Sequence, residues 1–134
     1  MNGAAWAMGA GLAVSLLATG ASAQDAKQIL DLTKSNWVAV RPYDGQDLLY
    51  FTNLLAWRCG LDGIRYAVNG EGLSRLETEP CYDDEVAPNA IKADGIQPYL
   101  AFPQGSVKRV TVEVRFPDGS TQVMDYARAD VMAR

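Results

Sequence analysis

The clearest alternation of apolar and polar residues lies in the last third of the chain. Over residues 110–116, valine and phenylalanine alternate with polar or charged side chains, as in a strand that buries one face. Residues 117–120 read Pro-Asp-Gly-Ser, which is typical of a turn, and residues 122–127 return with a second alternating pattern. The pattern predicts a β-hairpin in this part of the chain.

Two shorter segments upstream are also typical of strands. Residues 37–41 are rich in aromatic and β-branched side chains, and Pro42 with the Asp44-Gly45 pair predicts a turn after them. Residues 64–68 alternate again, and the Asn69-Gly70 pair that follows favours a hairpin because both residues tolerate a positive φ. Both segments are therefore predicted to be strands that end in tight turns.

Residues 48–59 form the most apolar stretch after the N-terminal segment. As a strand, the stretch is apolar on both faces, which predicts that it is covered on both sides or carries an interface. The second possibility allows a homodimer. A buried helix is the alternative, since periodicity alone does not separate the two structures.

Three segments lack a strand pattern. Asp25 and Gln28 have the spacing of a capping box, and the apolar residues after them predict a short helix over residues 25–34. Residues 77–98 contain three prolines and predict a long loop. The last residues, 127–134, are predicted to be a frayed tail.

Six or seven short strands separated by turns predict a mainly all-β fold, an antiparallel β-sandwich with one short N-terminal helix. The pattern of residues 64–127 is similar to that of immunoglobulin-like or fibronectin-type sandwiches. The Cys-Trp-Cys order of antibody domains is absent, because Trp57 precedes Cys59. A small β-barrel is the alternative architecture.

The N-terminal segment predicts export. Residues 1–23 contain no charged side chain, and an apolar run over residues 10–18 is followed by Ala-Ser-Ala at 21–23. This arrangement is typical of a signal peptide, and the run is too short and too interrupted by glycine for a stable membrane span. We expect cleavage after residue 23, a single small β-sandwich domain over residues 24–134, and a location in the periplasm or outside the cell.

The two cysteines, Cys59 and Cys81, both lie in the predicted mature part. An even number of cysteines in a small exported domain predicts a disulfide, which would contribute about 3–4 kcal/mol by closing this loop. The pair lacks CxxC spacing and has no histidine beside it, so we do not expect a redox or nucleophilic role.

Composition removes several classes of function. A net charge of −4 and a pI near 4.7 argue against nucleic acid as a partner, since a phosphate backbone requires a basic surface. The sequence has no histidine and no phosphate-loop, dinucleotide or zinc-protease motif. We therefore predict no catalytic residue, no metal site and no cofactor, and we favour a non-catalytic protein over an enzyme.

The densest charged segment is acidic and lies within the long loop. Its acidic residues are Glu77, Glu79, Asp83, Asp84 and Glu85. Such a cluster could hold Ca²⁺, but the sequence lacks a calcium-loop pattern and Pro80 and Cys81 interrupt the run, which favours a solvated loop. The loop could also steer a basic partner electrostatically.

Tyrosine and arginine side chains are the main candidates for recognition, because they dominate binding hot spots and because aromatic rings stack on sugars. Trp57 and Tyr66 are expected to pack in the core instead, whereas Tyr82 and Tyr99 flank the long loop and are expected to be exposed. The candidate binding residues are Arg41, Tyr43, Arg65, Tyr82, Asp83, Asp84 and Tyr99.

These observations lead to the hypothesis of an exported, non-catalytic protein that recognises a partner protein or an envelope polymer. One alternative is a small envelope hydrolase that uses Asp and Glu, which would need two facing carboxylates in a cleft. The other is an inhibitor of a secreted enzyme that acts through the acidic loop, residues 77–85.

N-terminal sequencing of the exported protein tests the predicted signal peptide. We expect the mature chain to begin at Gln24, because a signal peptidase cleaves after small residues of the Ala-Ser-Ala type. A mature chain that still carries Met1 would contradict this expectation.

Overall fold

A computed structural model describes residues 22–133, which form seven strands and three helices. The strands are β1 Ala39–Tyr43, β2 Gln46–Tyr50, β3 Gly63–Val68, β4 Ser74–Arg75, β5 Tyr99–Pro103, β6 Arg109–Arg115 and β7 Thr121–Ala127. The helices are α1 Ser22–Leu32, α2 Thr52–Leu55 and α3 Arg128–Val131, with 3₁₀ turns at Lys34–Asn36 and Arg58–Gly60. Of the predicted signal peptide, residues 1–21 lie outside the described residues. None of the described helices has the length and apolar character needed to span a membrane.

The strands form two antiparallel sheets, which confirms the prediction of a mainly β, sandwich-type fold. One sheet has the strand order β1-β2-β5 and the other has the order β4-β3-β6-β7. Strands 1, 2 and 5 therefore share one sheet and strands 3, 6 and 7 share the other, as in immunoglobulin-type sandwiches. Among the described strands no ladder joins the two sheets, which argues against the barrel alternative.

The core contains side chains from both sheets and from helix α1. The apolar residues of the 110–116 segment are buried, as predicted, and Val40 and Leu49 of the other sheet belong to the same cluster. Trp37 is fully buried, and its indole Nε1 donates a hydrogen bond of 2.9 Å to the carbonyl oxygen of Leu30. Helix α1 is thereby fixed against the core through a buried polar contact.

Two of the predicted turns connect strands as the sequence indicates. Asp44 and Gly45 have φ angles of 52° and 75° and form a two-residue loop between β1 and β2. Asn69 and Gly70 follow β3 with φ angles of 58° and 79°. Pro42 lies within β1 and not in the turn, and an edge strand tolerates its missing N–H.

The stretch 48–59 is neither one strand nor one helix. Strand β2 ends at Tyr50, and the short helix α2 and a 3₁₀ turn follow it. The chain must turn here because β2 and β3 belong to different sheets. The large apolar side chains of the stretch are buried on both sides of this crossing: Leu48, Leu49, Phe51, Leu54 and Leu55.

Two predicted boundaries near the N-terminus are also shifted. Helix α1 begins at Ser22 and ends at Leu32, whereas the capping-box spacing predicted residues 25–34. Strand β1 begins at Ala39, two residues later than predicted, because Trp37 still has helical dihedral angles at the end of the 3₁₀ turn Lys34–Asn36.

Residues 128–133 are ordered, so the prediction of a frayed tail is wrong for these residues. Residues 128–131 form helix α3, and Val131 is buried. Met132 makes a parallel bridge with Val40 of β1, and the Ala133 amide donates a hydrogen bond of 2.8 Å to the Val40 carbonyl. The end of the chain therefore connects the four-stranded sheet to the edge of the three-stranded sheet.

A buried ion pair holds this segment in place. Asp47 of β2 is fully buried, and its carboxylate accepts hydrogen bonds of 2.6 and 3.1 Å from the Arg128 guanidinium. The same carboxylate accepts a bond of 3.1 Å from the Val107 amide. The Arg128 hydrogen bond outweighs burial and holds the pKa of Asp47 well below its ordinary value.

Replacement of Asp47 by Asn should destabilise the protein by about 3 kcal/mol, because it leaves the partly buried Arg128 without its counter-charge. Urea unfolding monitored by tryptophan fluorescence measures the change. Asp125→Asn is the matched control, because Asp125 pairs with Arg109 at the exposed surface and should cost less than about 1 kcal/mol.

The stability of the Asp47 pair should also depend on pH. Since the native pKa is lowered, the pair stabilises the fold fully above the unfolded pKa of about 3.9 and loses its effect as pH falls toward the native value. Below about pH 5 the wild-type protein should therefore lose stability more steeply than Asp47→Asn. If the free energy of unfolding changed with pH in parallel in the two proteins, the stabilising role of the Asp47–Arg128 pair would be contradicted.

Candidate functional site

The outer face of the three-stranded sheet carries tyrosine and arginine side chains. Val40 of β1 and Leu49 of β2 are register partners that enter the core, so their chain neighbours Arg41 and Tyr50 lie on the opposite face. The buried Leu48 lies on that face as well. The antiparallel register places Ala39, Tyr50 and Tyr99 in one row across the three strands. Arg41 and Tyr43 lie two and four residues after Ala39 and therefore share this face. We call Arg41, Tyr43, Tyr50 and Tyr99 the tyrosine face.

The side chains of the tyrosine face are paired. The rings of Tyr50 and Tyr99 have centroids 5.2 Å apart and planes inclined by 46°. The guanidinium carbon of Arg41 lies 4.8 Å from the centre of the Tyr43 ring, within the range of a cation–π contact. Tyr43 is 56% exposed, so this pair is available to a ligand.

A cleft of about 390 Å³ adjoins the tyrosine face at Tyr99. Its apolar wall includes Phe51 and Tyr66, whose rings meet edge to face with centroids 5.7 Å apart. Arg75 and Glu77 supply charged groups at the wall, and residues 95–98 of the long loop complete it. We call this the loop cleft. Its size and its mixture of aromatic and charged lining residues are typical of binding sites.

The buried guanidinium of Arg58 holds the long loop against the fold. Arg58 is 7% exposed, and all three of its guanidinium nitrogens donate hydrogen bonds to backbone carbonyls. These carbonyls belong to Leu55, Glu79, Pro80, Asn89 and Ala90, at 2.8–3.0 Å. One side chain therefore joins helix α2 to two separate segments of the loop.

Glu79 provides a second buried anchor in the same loop. Its carboxylate accepts hydrogen bonds from the Tyr82 hydroxyl at 2.6 Å and from the amides of Lys92 and Ala93 at 3.0 and 3.2 Å. The Tyr82 bond and these amides outweigh burial and lower the pKa of Glu79. The sequence suggested that Glu79 belongs to a solvated acidic loop. In the structure it is instead a buried hydrogen-bond acceptor that holds the loop together.

The predicted disulfide between Cys59 and Cys81 is present, with Cα atoms 5.0 Å apart. It joins the 3₁₀ turn at Arg58–Gly60 to the beginning of the loop. The loop lacks regular strands and helices, as predicted, yet it is attached covalently and by two buried charged groups.

The structure brings together three of the seven candidate binding residues. Arg41, Tyr43 and Tyr99 lie on the tyrosine face. Arg65 lies on the other sheet, where its guanidinium makes two hydrogen bonds to Glu113 at 2.8 and 3.0 Å.

The remaining candidates lie in the long loop. Asp83 and Asp84 are exposed, as predicted. Tyr82 is half-buried and its hydroxyl is bonded to Glu79, so the expectation of an exposed Tyr82 is wrong. Tyr99, expected to be exposed, is also half-buried because it contacts Tyr50.

Of the two predicted core aromatics, Tyr66 lies at the loop cleft, together with two charged residues that the sequence did not single out. Trp57 and Tyr66 are partly buried and pack against the core cluster, so the core assignment is only partly correct. Arg75 and Glu77 contribute to the cleft without having been singled out as binding residues. Their position follows from the pairing of β4 with β3. The Asn69-Gly70 pair predicted this hairpin, but it did not indicate which residues after the turn would reach a cleft.

The loop cleft does not bring two carboxylates together. Glu77 is the one acidic residue that lines the loop cleft. Over residues 22–133, no three Asp, Glu or Cys side chains are grouped closely enough to hold a metal ion. Comparison of the chain with protein families, curated proteins and solved structures finds no match.

Replacement of Arg58 by Lys should loosen the long loop, because an ammonium group cannot reach the same set of carbonyls. Leaving buried carbonyls without donors should cost about 3 kcal/mol. Hydrogen exchange should show reduced protection of the Lys92 and Ala93 amides. Arg41→Lys is the control, since Arg41 is exposed and should change stability by less than about 0.5 kcal/mol. Equal protection of these amides in the two variants would contradict the role of Arg58.

Proposed function

We propose that this protein is an exported, non-catalytic binding protein that recognises a partner protein or an envelope polymer through the tyrosine face and the loop cleft. The observation that carries the proposal is the grouping of Arg41, Tyr43, Tyr50 and Tyr99 on one outward face. Arginine and tyrosine are enriched where binding energy is concentrated. Tyrosine rings also offer flat surfaces for sugar rings.

Two properties of the site favour binding. The Tyr50–Tyr99 and Arg41–Tyr43 contacts restrict the side chains before any ligand arrives, which lowers the entropic cost of association. Tyr99 lies at the junction of the face and the cleft, so a ligand can contact a flat surface and a recess together. An extended chain, either a polypeptide or a polysaccharide, fits this combination.

Export is part of the proposal because two independent features support it. The disulfide is typical of proteins that leave the reducing cytoplasm. The uncharged N-terminal segment, with Ala-Ser-Ala at residues 21–23, is typical of a signal peptide. A homodimer remains a prediction, which a mass measurement in solution tests. The apolar stretch that suggested it is largely buried within one chain.

A second candidate function is inhibition of a secreted enzyme by the long loop. The observation that favours it is the rigid attachment of this loop by Arg58, Glu79 and the disulfide, with Asp83 and Asp84 exposed. A preorganised acidic loop can enter a basic active site at low entropic cost. The loop cleft gives the hydrolase alternative no such support, since it is lined by one acidic residue.

Replacement of Tyr50 and Tyr99 by Ser should weaken binding to the natural ligand at least tenfold, because both ring surfaces are lost. The measurement is retention of periplasmic proteins and of isolated envelope polymer by immobilised wild-type and variant protein. Val123→Ser is the matched control, since Val123 is exposed on the opposite sheet. Melting temperatures verify that each variant is folded.

The charge-reversal pair Asp83→Lys and Asp84→Lys distinguishes the two candidate functions. We expect this variant to retain its ligand, because Asp83 and Asp84 do not belong to the tyrosine face. Loss of binding in the loop variant, together with normal binding by the tyrosine variant, would replace the proposal by the inhibitor alternative. Loss of ligand in the Val123→Ser control would indicate that retention is not specific to the tyrosine face.

A further inference from the structure

A second recess lies on the outer face of the four-stranded sheet, opposite the tyrosine face. Its volume is about 330 Å³, and its charged lining residues are Asp62, Arg65, Arg75, Glu113 and Arg115. We call it the arginine recess. Three arginines converge here although the chain as a whole has a net charge of −4.

Gly63 makes room for this convergence. The Nη1 atom of Arg75 lies 3.8 Å from the position that a Cβ atom would take on Gly63. Arg115 is the cross-strand partner of Gly63, so its side chain leaves the sheet beside the same point. The Arg75 guanidinium therefore lies over the bare backbone of Gly63, and Arg115 lines the same recess.

The charges in the recess are only partly compensated. Arg65 is bonded to Glu113 through two hydrogen bonds of 2.8 and 3.0 Å. Over residues 22–133, neither Arg75 nor Arg115 forms a salt bridge. Arg65 and Arg75 are direct cross-strand partners, and like charges in such positions repel each other.

We propose that the arginine recess binds a phosphate group. Two unpaired guanidiniums attract an anion with two charges more strongly than one with a single charge, and a phosphate monoester carries about −1.5 to −2 at neutral pH. Guanidinium groups also match phosphate oxygens with paired N–H donors. Glu113 orients Arg65, and Asp62 at the rim opposes the anion and limits its affinity.

The phosphate site does not depend on the proposed function. The recess and the tyrosine face lie on different sheets, and Arg115 lines the recess without lining the loop cleft. Failure of phosphate binding would leave recognition through the tyrosine face unaffected, and the converse also holds. Arg75 lines both sites, so Arg115 is the residue that separates them.

Titration of the folded protein with inorganic phosphate, followed by amide NMR at constant ionic strength, tests the proposal. We expect saturable shifts of the Gly63 and Arg115 amides, with sodium chloride producing none. Arg115→Gln and Arg75→Gln should each weaken binding at least tenfold. Asp62→Asn should strengthen it about threefold, because it removes an opposing charge from the rim.

Arg109→Gln is the matched control, since Arg109 lies on the same strand and the same face as Arg115 but pairs with Asp125. It should bind phosphate as the wild-type protein does. Equal weakening in Arg109→Gln and Arg115→Gln would reduce the effect to overall charge and overturn the proposal. Absence of saturable shifts at Gly63 would also overturn it.

The source of the phosphate is resolved by a second titration. Glucose 6-phosphate is compared with inorganic phosphate, and glucose serves as the uncharged control. Tighter binding of the sugar phosphate would assign the site to a phosphorylated carbohydrate, and equal binding would assign it to the phosphate group alone. Binding of glucose with the same affinity as the sugar phosphate would overturn the role of the anion.

Discussion

The irregular part of this fold depends on the hydrogen bonds that the Arg58 guanidinium donates. Residues 77–98 have no regular strand or helix, so their backbone carbonyls need donors from elsewhere. Arg58 donates hydrogen bonds to carbonyls at the beginning and in the middle of the loop. Glu79 accepts hydrogen bonds from the amides of Lys92 and Ala93, later in the same loop. The loop cleft exists because these two charged groups hold the loop in a fixed position beside Tyr66 and Tyr99.

A second buried charge performs a comparable task at the end of the chain. Asp47 lies in the central strand of the three-stranded sheet, and Arg128 begins the helix after the last strand of the other sheet. Their pairing joins residues that are 81 positions apart. In a chain of this size the apolar core is limited, and this ionic contact adds to the burial of Val131 in fixing the last segment.

The sequence predicted the elements whose cause is local. The alternation over residues 110–116 and the Asp44-Gly45 turn require only neighbouring residues, and both formed as expected. The ordered C-terminus could not be predicted in this way, since the partner of Arg128 lies far away in the sequence. Residues 48–59 were ambiguous because apolar composition does not reveal where a chain crosses between sheets.

The candidate site was predicted in part for the same reason. Tyrosine and arginine were singled out by chemistry alone, and only the register of β1, β2 and β5 placed Arg41, Tyr43 and Tyr99 on one face. Arg65 has the same chemistry, but it belongs to the other sheet. Glu79 resembled its exposed acidic neighbours, since burial of one member of a charged run has no local signature.

The hydrogen bonds from Arg58 to Pro80 have a consequence for oxidative folding. Each of these residues immediately precedes a cysteine in the chain, and the donor–acceptor distances are 3.0 and 2.8 Å. In a reduced chain that has formed this contact, the two thiols are held side by side at a high effective concentration. Formation of this polar contact before oxidation would therefore favour the native pairing of Cys59 with Cys81.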